Sequence, residues 1–249
     1  MKHKYWYDDN YVLDISEKIH SILPAFDQKS FSNSLIGQLD DKELFARFDT
    51  IVDAMEKTLD NDYSKNIQAF FGMLGPEWPK SEGMLNYGYW LWPISRYIER
   101  HGNENWSLSL SFLKELTKRF TGEYAIRPLL KEQPQKVMDE LIIWTNDENV
   151  HVRRLASEGV RTRLPWSQKL LVALDEFERY TAILTNLKDD PEKYVQKSVG
   201  NNLNDLFKDA PDKARHIIAQ WETPTKSKAQ EWIVKHGMRN QNQAVARHI

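Results

Sequence analysis

Cysteine is absent from the 249 residues, which excludes a disulfide framework, a Cys-ligated zinc or iron–sulfur site and a thiol nucleophile. Long apolar runs are missing as well. No stretch approaches the roughly 20 residues that a helix needs to cross a bilayer, and the opening MKHKYWYDDN has no apolar core of signal-peptide length. We therefore expect no membrane partner and a cytoplasmic location. The dinucleotide fingerprint GxGxxG, the phosphate-cradling GxxxxGKS/T run and the zinc-binding HExxH are all lacking. The seven histidines are scattered: His151 reads as a rim or structural residue, and His236 and His248 lie near a frayed chain end. No metal and no other cofactor is expected.

What the chain does have is length and nearly balanced charge. At 249 residues it can bury most of its apolar surface without covalent staples. The formal net charge is -2, yet the signs are unevenly spread: the first 106 residues sum to -6 and the remainder to +4. A basic half is either a set of solvated helix faces or a surface for a polyanion.

Periodicity is helical throughout. Val12, Ile15, Ile19, Ile22 and Leu23 recur at threes and fours, as do Leu44, Phe48, Ile51, Val52, Met55 and Leu59, so 11–26 and 43–59 are amphipathic helices. Pro24 and the Ser-rich stretch 30–34 should separate them. Glycines and prolines mark an irregular connection at 72–88, and 89–100 and 107–120 are further helices. Trp78, Tyr87, Tyr89, Trp90 and Trp92 read as core. Later helix starts are signalled by Gln133-Pro134, Asp190-Pro191 and Ala210-Pro211, with Asp190 placed as an N-cap. No alternating strand pattern is present, so the fold class is all-α.

The second half repeats. Setting 149–166 against 192–209, an offset of 43, pairs Val152 with Val195, Ala156 with Val199, Val160 with Leu203 and Leu164 with Phe207. That offset lies within the roughly 40–47 residues of HEAT-like repeats. We expect one HEAT-like domain over 1–249, with an N-terminal helical part at 1–106 and groove-bearing repeats at 107–240. Polar residues share the period: Arg154, Glu158 and Arg161 at one helix face, Lys197, Asn201 and Asp205 at the equivalent face, and Glu123, Arg127 and Lys131 earlier, on a helix beginning near Gly122. Such stripes read first as intrahelical ion pairs worth a few tenths of a kcal/mol, and second as the wall of a concave groove.

The runs GEYAIRP (122–128), HVRRLASEGVRTRLPW (151–166) and YVQKSVGNNLNDLFKD (194–209) resemble the AlkC branch of the AlkC/AlkD DNA alkylation-repair glycosylases. The resemblance extends from about Asp14 to Arg239 and includes LGPEWP, WPISRYIERHG and EWIVKHGMR. It implies a superhelical solenoid of HEAT-like repeats, acting as a monomer on alkylated double-stranded DNA. It also implies excision of cationic bases of the N3-methyladenine or N3-methylcytosine type, without base flipping. Carried onto this chain, the catalytic carboxylates are Glu158, nearest the lesion, with Asp205 and Glu123 positioning water or stabilising charge. Trp166, turned out by Pro165 at the end of its helix, contacts the lesion. Arg154, Arg161, Arg163, Lys197, Asn201, Asn202 and Arg127 are the DNA-binding residues, while Arg153 falls off the stripe. Many AlkC-type proteins continue into an immunoglobulin-like domain; this chain, which ends at Ile249, reads as a member without it. The competing reading is a HEAT-like scaffold that binds DNA or protein without catalysis, against which the three carboxylates and Trp166 argue.

Overall fold

Local capping and apolar spacing decide where each helix lies. In the computed structural model, which describes residues 3–241, all regular structure among the described residues is helical. Helix α1 (Asp9–Ile22) starts where Asp8 accepts from the Tyr11 amide, and it buries Val12, Ile15 and Ile19. The Ser-rich stretch expected to be a separator is instead the body of α2 (Gln28–Leu35). Asp27 caps it by accepting from the Ser30 amide, and Phe31 and Leu35, one turn apart, anchor it in the core. A cap and two apolar residues outweigh three serines of modest helix propensity. Helix α3 (Leu44–Thr58) buries Phe48, Ile51, Val52 and Met55, as its period predicts. It is followed by α4 (Tyr63–Phe71), α5 (Met84–Gly88), α6 (Trp92–His101) and α7 (Trp106–Thr117).

Packing divides the chain into two compact units, one running up to Pro79 with Gly83–Pro128, the other made of Lys80–Glu82 and the chain from Leu129. In the first unit α2 packs on α1 and α3, α3 on α6, and α4 on α7. Tyr7 and Tyr11 donate to the carbonyls of Tyr89 and Trp90, and Trp92 is buried among Phe48, Phe120 and Tyr124. Arg47 is also fully buried. Its guanidinium donates to the carbonyl oxygens of Lys42 (3.0 Å), Tyr7 (2.7 Å) and Asp40 (3.0 Å), so one side chain ties the chain's beginning and the α2–α3 connection to α3.

Helix α8 (Ile126–Glu132) carries the boundary between the units. Beyond it come α9 (Pro134–Trp144), α10 (Val150–Glu158), α11 (Val172–Asp175), α12 (Phe177–Asn186), α13 (Lys193–Asp209), α14 (Pro211–Gln220) and α15 (Lys228–Gly237). Pro134 and Pro211 stand in the first turns of their helices, as read from the sequence. Asp190 does not cap α13. The cap position is Glu192, and Asp190 instead accepts from the Glu192 amide (2.8 Å) and from Arg153 (2.7 Å). Within this unit α9 packs on α12 and α10, α10 on α13, and α13 on α14 and α15, which is the stacking of helical hairpins. All eight residues paired by the offset of 43 are buried. Among the described residues, no helix is long and apolar enough to cross a membrane.

The α13–α15 contact is close enough to require glycine. A Cβ on Gly237 would lie 2.7 Å from Leu203 Cβ, and one on Gly200 would lie 2.8 Å from His236 Cδ2. Leu203 Cβ is fixed to its backbone and cannot swing away. Gly237→Ala should therefore push the helices apart at a cost of about 1–3 kcal/mol, exceeding the ~1 kcal/mol that alanine gains in helix propensity. A thermal melt should show a Tm several degrees below wild type; an equal or higher Tm would contradict the packing described.

Candidate active site

The contact between α10 and α13 buries charge. Glu158 is the last residue of α10, and Gly159 caps it. Arg161 therefore lies past the helix end, not on the helical stripe, and it turns back over the helix terminus. Its Nη1 donates to Glu158 Oε1 (2.6 Å), its Nε to Asp205 Oδ2 on α13 (2.8 Å), and its Nη2 to the Arg163 carbonyl (3.3 Å). A second guanidinium, that of Arg154, stands 3.4 Å from Glu158 Oε1 and lies over the Tyr194 ring. On the other side Ser157 Oγ donates to Ser198 Oγ (2.7 Å), which donates to Glu158 Oε2 (2.6 Å). Glu158, Arg161 and Asp205 are all buried.

These surroundings drive the two carboxylates in opposite directions. For Glu158, burial disfavours the charge, but the Arg154 and Arg161 guanidiniums and the Ser198 and Arg161 hydrogen bonds outweigh it, holding the carboxyl below the usual carboxylate range. For Asp205, burial, reinforced by the neighbouring Glu158 charge, wins over the bond and charge of Arg161 and pushes the carboxyl above its usual range. A pair of acids tuned apart in this way is the usual signature of divided acid–base roles. Arg161 binds only one Asp205 oxygen; among the described residues nothing donates to Oδ1.

Basic residues gather around His236, where α13 meets the end of α15. Lys193 and Lys197 are exposed; Lys193 Nζ lies 3.5 Å from the Trp232 ring centroid, and Trp232 stacks on His236. His236 Nε2 and Arg239 Nη2 both meet Asn201 Oδ1 at 3.1 Å. Burial, together with Arg239, Lys197 and Lys193, keeps His236 below the ordinary imidazole range, so near pH 7 it is neutral and donates through Nε2. His236 is thus an ordered member of α15 and not part of a frayed end; His248 lies outside the described residues.

Several of the expected phosphate ligands do other work. Arg161 is committed to the two carboxylates. Asn202 is buried, donating to the Ser157 and Ser198 carbonyls and accepting from Tyr180. Arg163 makes a two-pronged pair with Asp209 (2.7 and 2.9 Å), and Arg153 holds Asp190 and the Asp147 and Glu148 carbonyls. Asn201 gives its oxygen to His236 and Arg239, leaving its amide nitrogen as the group to donate. Arg154 is drawn to Glu158 and the Tyr194 ring, while Lys197 is exposed. Glu123 and Arg127 belong to the first unit. Glu123 sits in the turn before α8, not on a helix from Gly122, where its Oε2 accepts from Thr121 Oγ1 (2.6 Å); Arg127 is buried.

Trp166 is 73% exposed, in the loop between α10 and α11. Pro165 does not end its helix, which has already stopped at Glu158. Trp166 has φ of 59°, a left-handed backbone that a bulky residue seldom adopts. Outliers of this kind cost about 1–3 kcal/mol and cluster at functional sites. A cavity of about 380 Å³ in the second unit, lined by residues including Lys131, Lys169, Leu170 and Glu176, involves none of the carboxylate cluster.

Stacked helical hairpins with a carboxylate pair buried between two of them define a helical-repeat protein. The chain belongs to the DNA alkylation repair enzyme family, whose model matches residues 98–240, more than half of its length. It is 30% identical to the uncharacterized protein YhaZ of Bacillus subtilis (strain 168) over 94% of this chain and 62% of that protein. It also superposes, with a TM-score of 0.83 and 29% identity, on the Pseudomonas fluorescens alkylpurine DNA glycosylase AlkC bound to DNA containing an abasic site analog, over 97% of this chain and 65% of that one. The chain thus spans somewhat under two thirds of the length of each.

Glu158 accepts from Arg161 and Ser198 and faces Arg154, so removing its charge probes the ion network. Glu158→Gln leaves two guanidiniums facing an uncharged amide in a buried site, and breaking such a pair typically costs about 3–5 kcal/mol. Because the folded-state pKa of Glu158 is lowered, its stabilisation is complete above about pH 4.3 and is lost as pH falls through the folded value. Melting curves should show a wide, constant gap between wild type and Glu158→Gln near neutral pH that narrows only below that point. A gap that is absent at pH 7 would contradict the pairing.

Proposed function

We propose that this chain is a DNA glycosylase that hydrolyses the N-glycosidic bond of cationic alkylated bases, of the N3-methyladenine or N3-methylcytosine type, in duplex DNA without flipping the base. The observation that carries the reading is the Glu158–Arg161–Asp205 arrangement, with one open oxygen on Asp205, the carboxylate whose proton affinity burial raises. Membership of the alkylation-repair family and the likeness to a DNA-bound glycosylase support it.

Alkylation at a ring nitrogen already makes the base a good leaving group, so the protein needs no strong general acid. The C1′–N bond breaks with its electron pair leaving on the base, which becomes neutral, and positive charge develops on the deoxyribose. Asp205 suits the sugar side of this step. Its carboxylate lies in a buried setting where a fixed charge stabilises a developing cation, and Oδ1 can accept the proton that water loses as its oxygen bonds to C1′. Glu158, locked by two arginines and Ser198, holds Arg161 and sets the field at Asp205. This assigns to Asp205 the lesion-facing role that sequence reasoning gave to Glu158. The exposed Trp166 indole can stack on sugar or base and attract a cationic lesion, and Lys197, Lys193 and Arg154 suit phosphates. One observation favours the non-catalytic scaffold: each Glu158 oxygen is bonded, as in a structural ion cluster.

Asp205→Asn separates the two readings. Loss of one preorganised charge costs roughly 10²–10³ in rate, so single-turnover release of N3-methyladenine or N3-methylcytosine should fall by that factor while duplex affinity stays equal or rises. In wild type the rate should fall on the acid side at a pH above the ordinary Asp value of about 3.9, because Asp205 is raised. A folded Asp205→Asn protein that excises at the wild-type rate would remove Asp205 from the mechanism.

Salt offers an independent check on the phosphate face. Lys197→Ala should weaken binding to damaged and undamaged duplexes alike and reduce the log–log salt slope by about one. Unchanged affinity and slope would make Lys197 a solvated side chain without a phosphate contact.

A further inference from the structure

The loop that bears Trp166 is tied down by a residue that the mechanism has not used. Asp209, the last residue of α13, has a side chain only 6% exposed and takes four hydrogen bonds, all from this loop. Oδ2 accepts from Thr162 Oγ1 (2.8 Å) and Arg163 Nε (2.9 Å); Oδ1 accepts from Arg163 Nη2 (2.7 Å) and Lys169 Nζ (2.9 Å). The donors stand on both sides of Trp166. Further bonds close the neck of the loop: the Leu170 amide donates to the Thr162 carbonyl (3.1 Å), and Ser167 donates to Leu164 (3.2 Å). Between these ties Trp166 holds its left-handed backbone and presents its indole to solvent. An unfavourable conformation of this kind persists only where its surroundings over-determine it.

Asp209 also stands one helical turn beyond Asp205 on α13, on the same side of the helix. Arg161, which holds Asp205, reaches the same loop through the Arg163 carbonyl. One rigid helix therefore carries both the carboxylate with the open oxygen and the clasp on the tryptophan loop. We propose that Asp209 is a positioning residue for Trp166: by clamping residues 162–169 to the end of α13, it fixes where the indole meets DNA relative to Asp205. The proposal rests on the glycosylase reading for the reaction, but the clamp itself can be tested apart from it.

A double-mutant cycle tests the coupling. If Asp209 acts through Trp166, Asp209→Asn and Trp166→Ala should each slow single-turnover excision by roughly ten-fold and the double variant by still roughly ten-fold, where independent effects would multiply to roughly a hundred-fold. In parallel, trypsin should nick Asp209→Asn after Arg163 and Lys169 several-fold faster than wild type, at matched Tm. A multiplicative cycle, or equal nicking rates, would overturn the proposal. If Asp209→Asn fails to fold, Arg163→Lys, which loses the fork but keeps the charge, replaces it under the same criteria. If wild type excises nothing, the glycosylase reading fails on its own, and the cycle is read instead on affinity for duplex DNA containing an abasic-site analogue.

Discussion

One guanidinium organises the second unit. Arg161 lies just beyond the end of α10 and donates to a carboxylate on each of two neighbouring helices and to the carbonyl of Arg163. The two buried acids share this cation but differ in their other partners. Glu158 receives Arg154 and Ser198 as well, whereas Asp205 accepts a side-chain hydrogen bond from Arg161 alone among the described residues and carries the burden of burial and of the Glu158 charge. The asymmetry in proton affinity follows from how many donors each carboxylate has.

Helix α13 is the element on which these parts converge. Along its seventeen residues it places Ser198 under Glu158, Gly200 against His236, Asn202 in the core, Asp205 on Arg161 and Asp209 on the tryptophan loop. The absence of a Cβ at Gly200 and Gly237 lets α15 approach closely enough for His236 and Arg239 to reach Asn201. Packing thus sets the electrostatics: the basic groups that depress His236 gather around it because two helices meet backbone to backbone. A buried charge cluster of this type contributes little net stability over an apolar core.

Much of this was legible in the sequence where the signal was local. The threes and fours of α1 and α3 and the offset of 43 that pairs Val152 with Val195 and Ala156 with Val199 correspond to buried faces, and the prolines open α9 and α14. Helix α2 was missed because an Asp27 cap and two apolar anchors in a serine-rich run give only a weak periodic signal. The stripe through Arg154, Glu158 and Arg161 assumed that α10 continues, but Gly159 ends it, so Arg161 reaches its partners by a turn that helical spacing cannot describe. Asn202 looked like a phosphate donor because its bonds run to α10 and α12, and pairings across helices leave no trace in the spacing of one. Ser198, His236, Arg239 and Asp209 were missed for the same reason. Their residue types are ordinary, and only tertiary contacts give them roles.

The claim on which the rest depends is that Arg161 and its neighbours split the two acids. Carbon-13 NMR titration of the side-chain carboxyls, assigned with Glu158→Gln and Asp205→Asn, measures it directly. Free side chains titrate near 4.3 for Glu and 3.9 for Asp. In the folded protein Glu158 should titrate below its free value and Asp205 above its own. If Glu158 were raised or Asp205 lowered, the division built on Arg161 would be wrong.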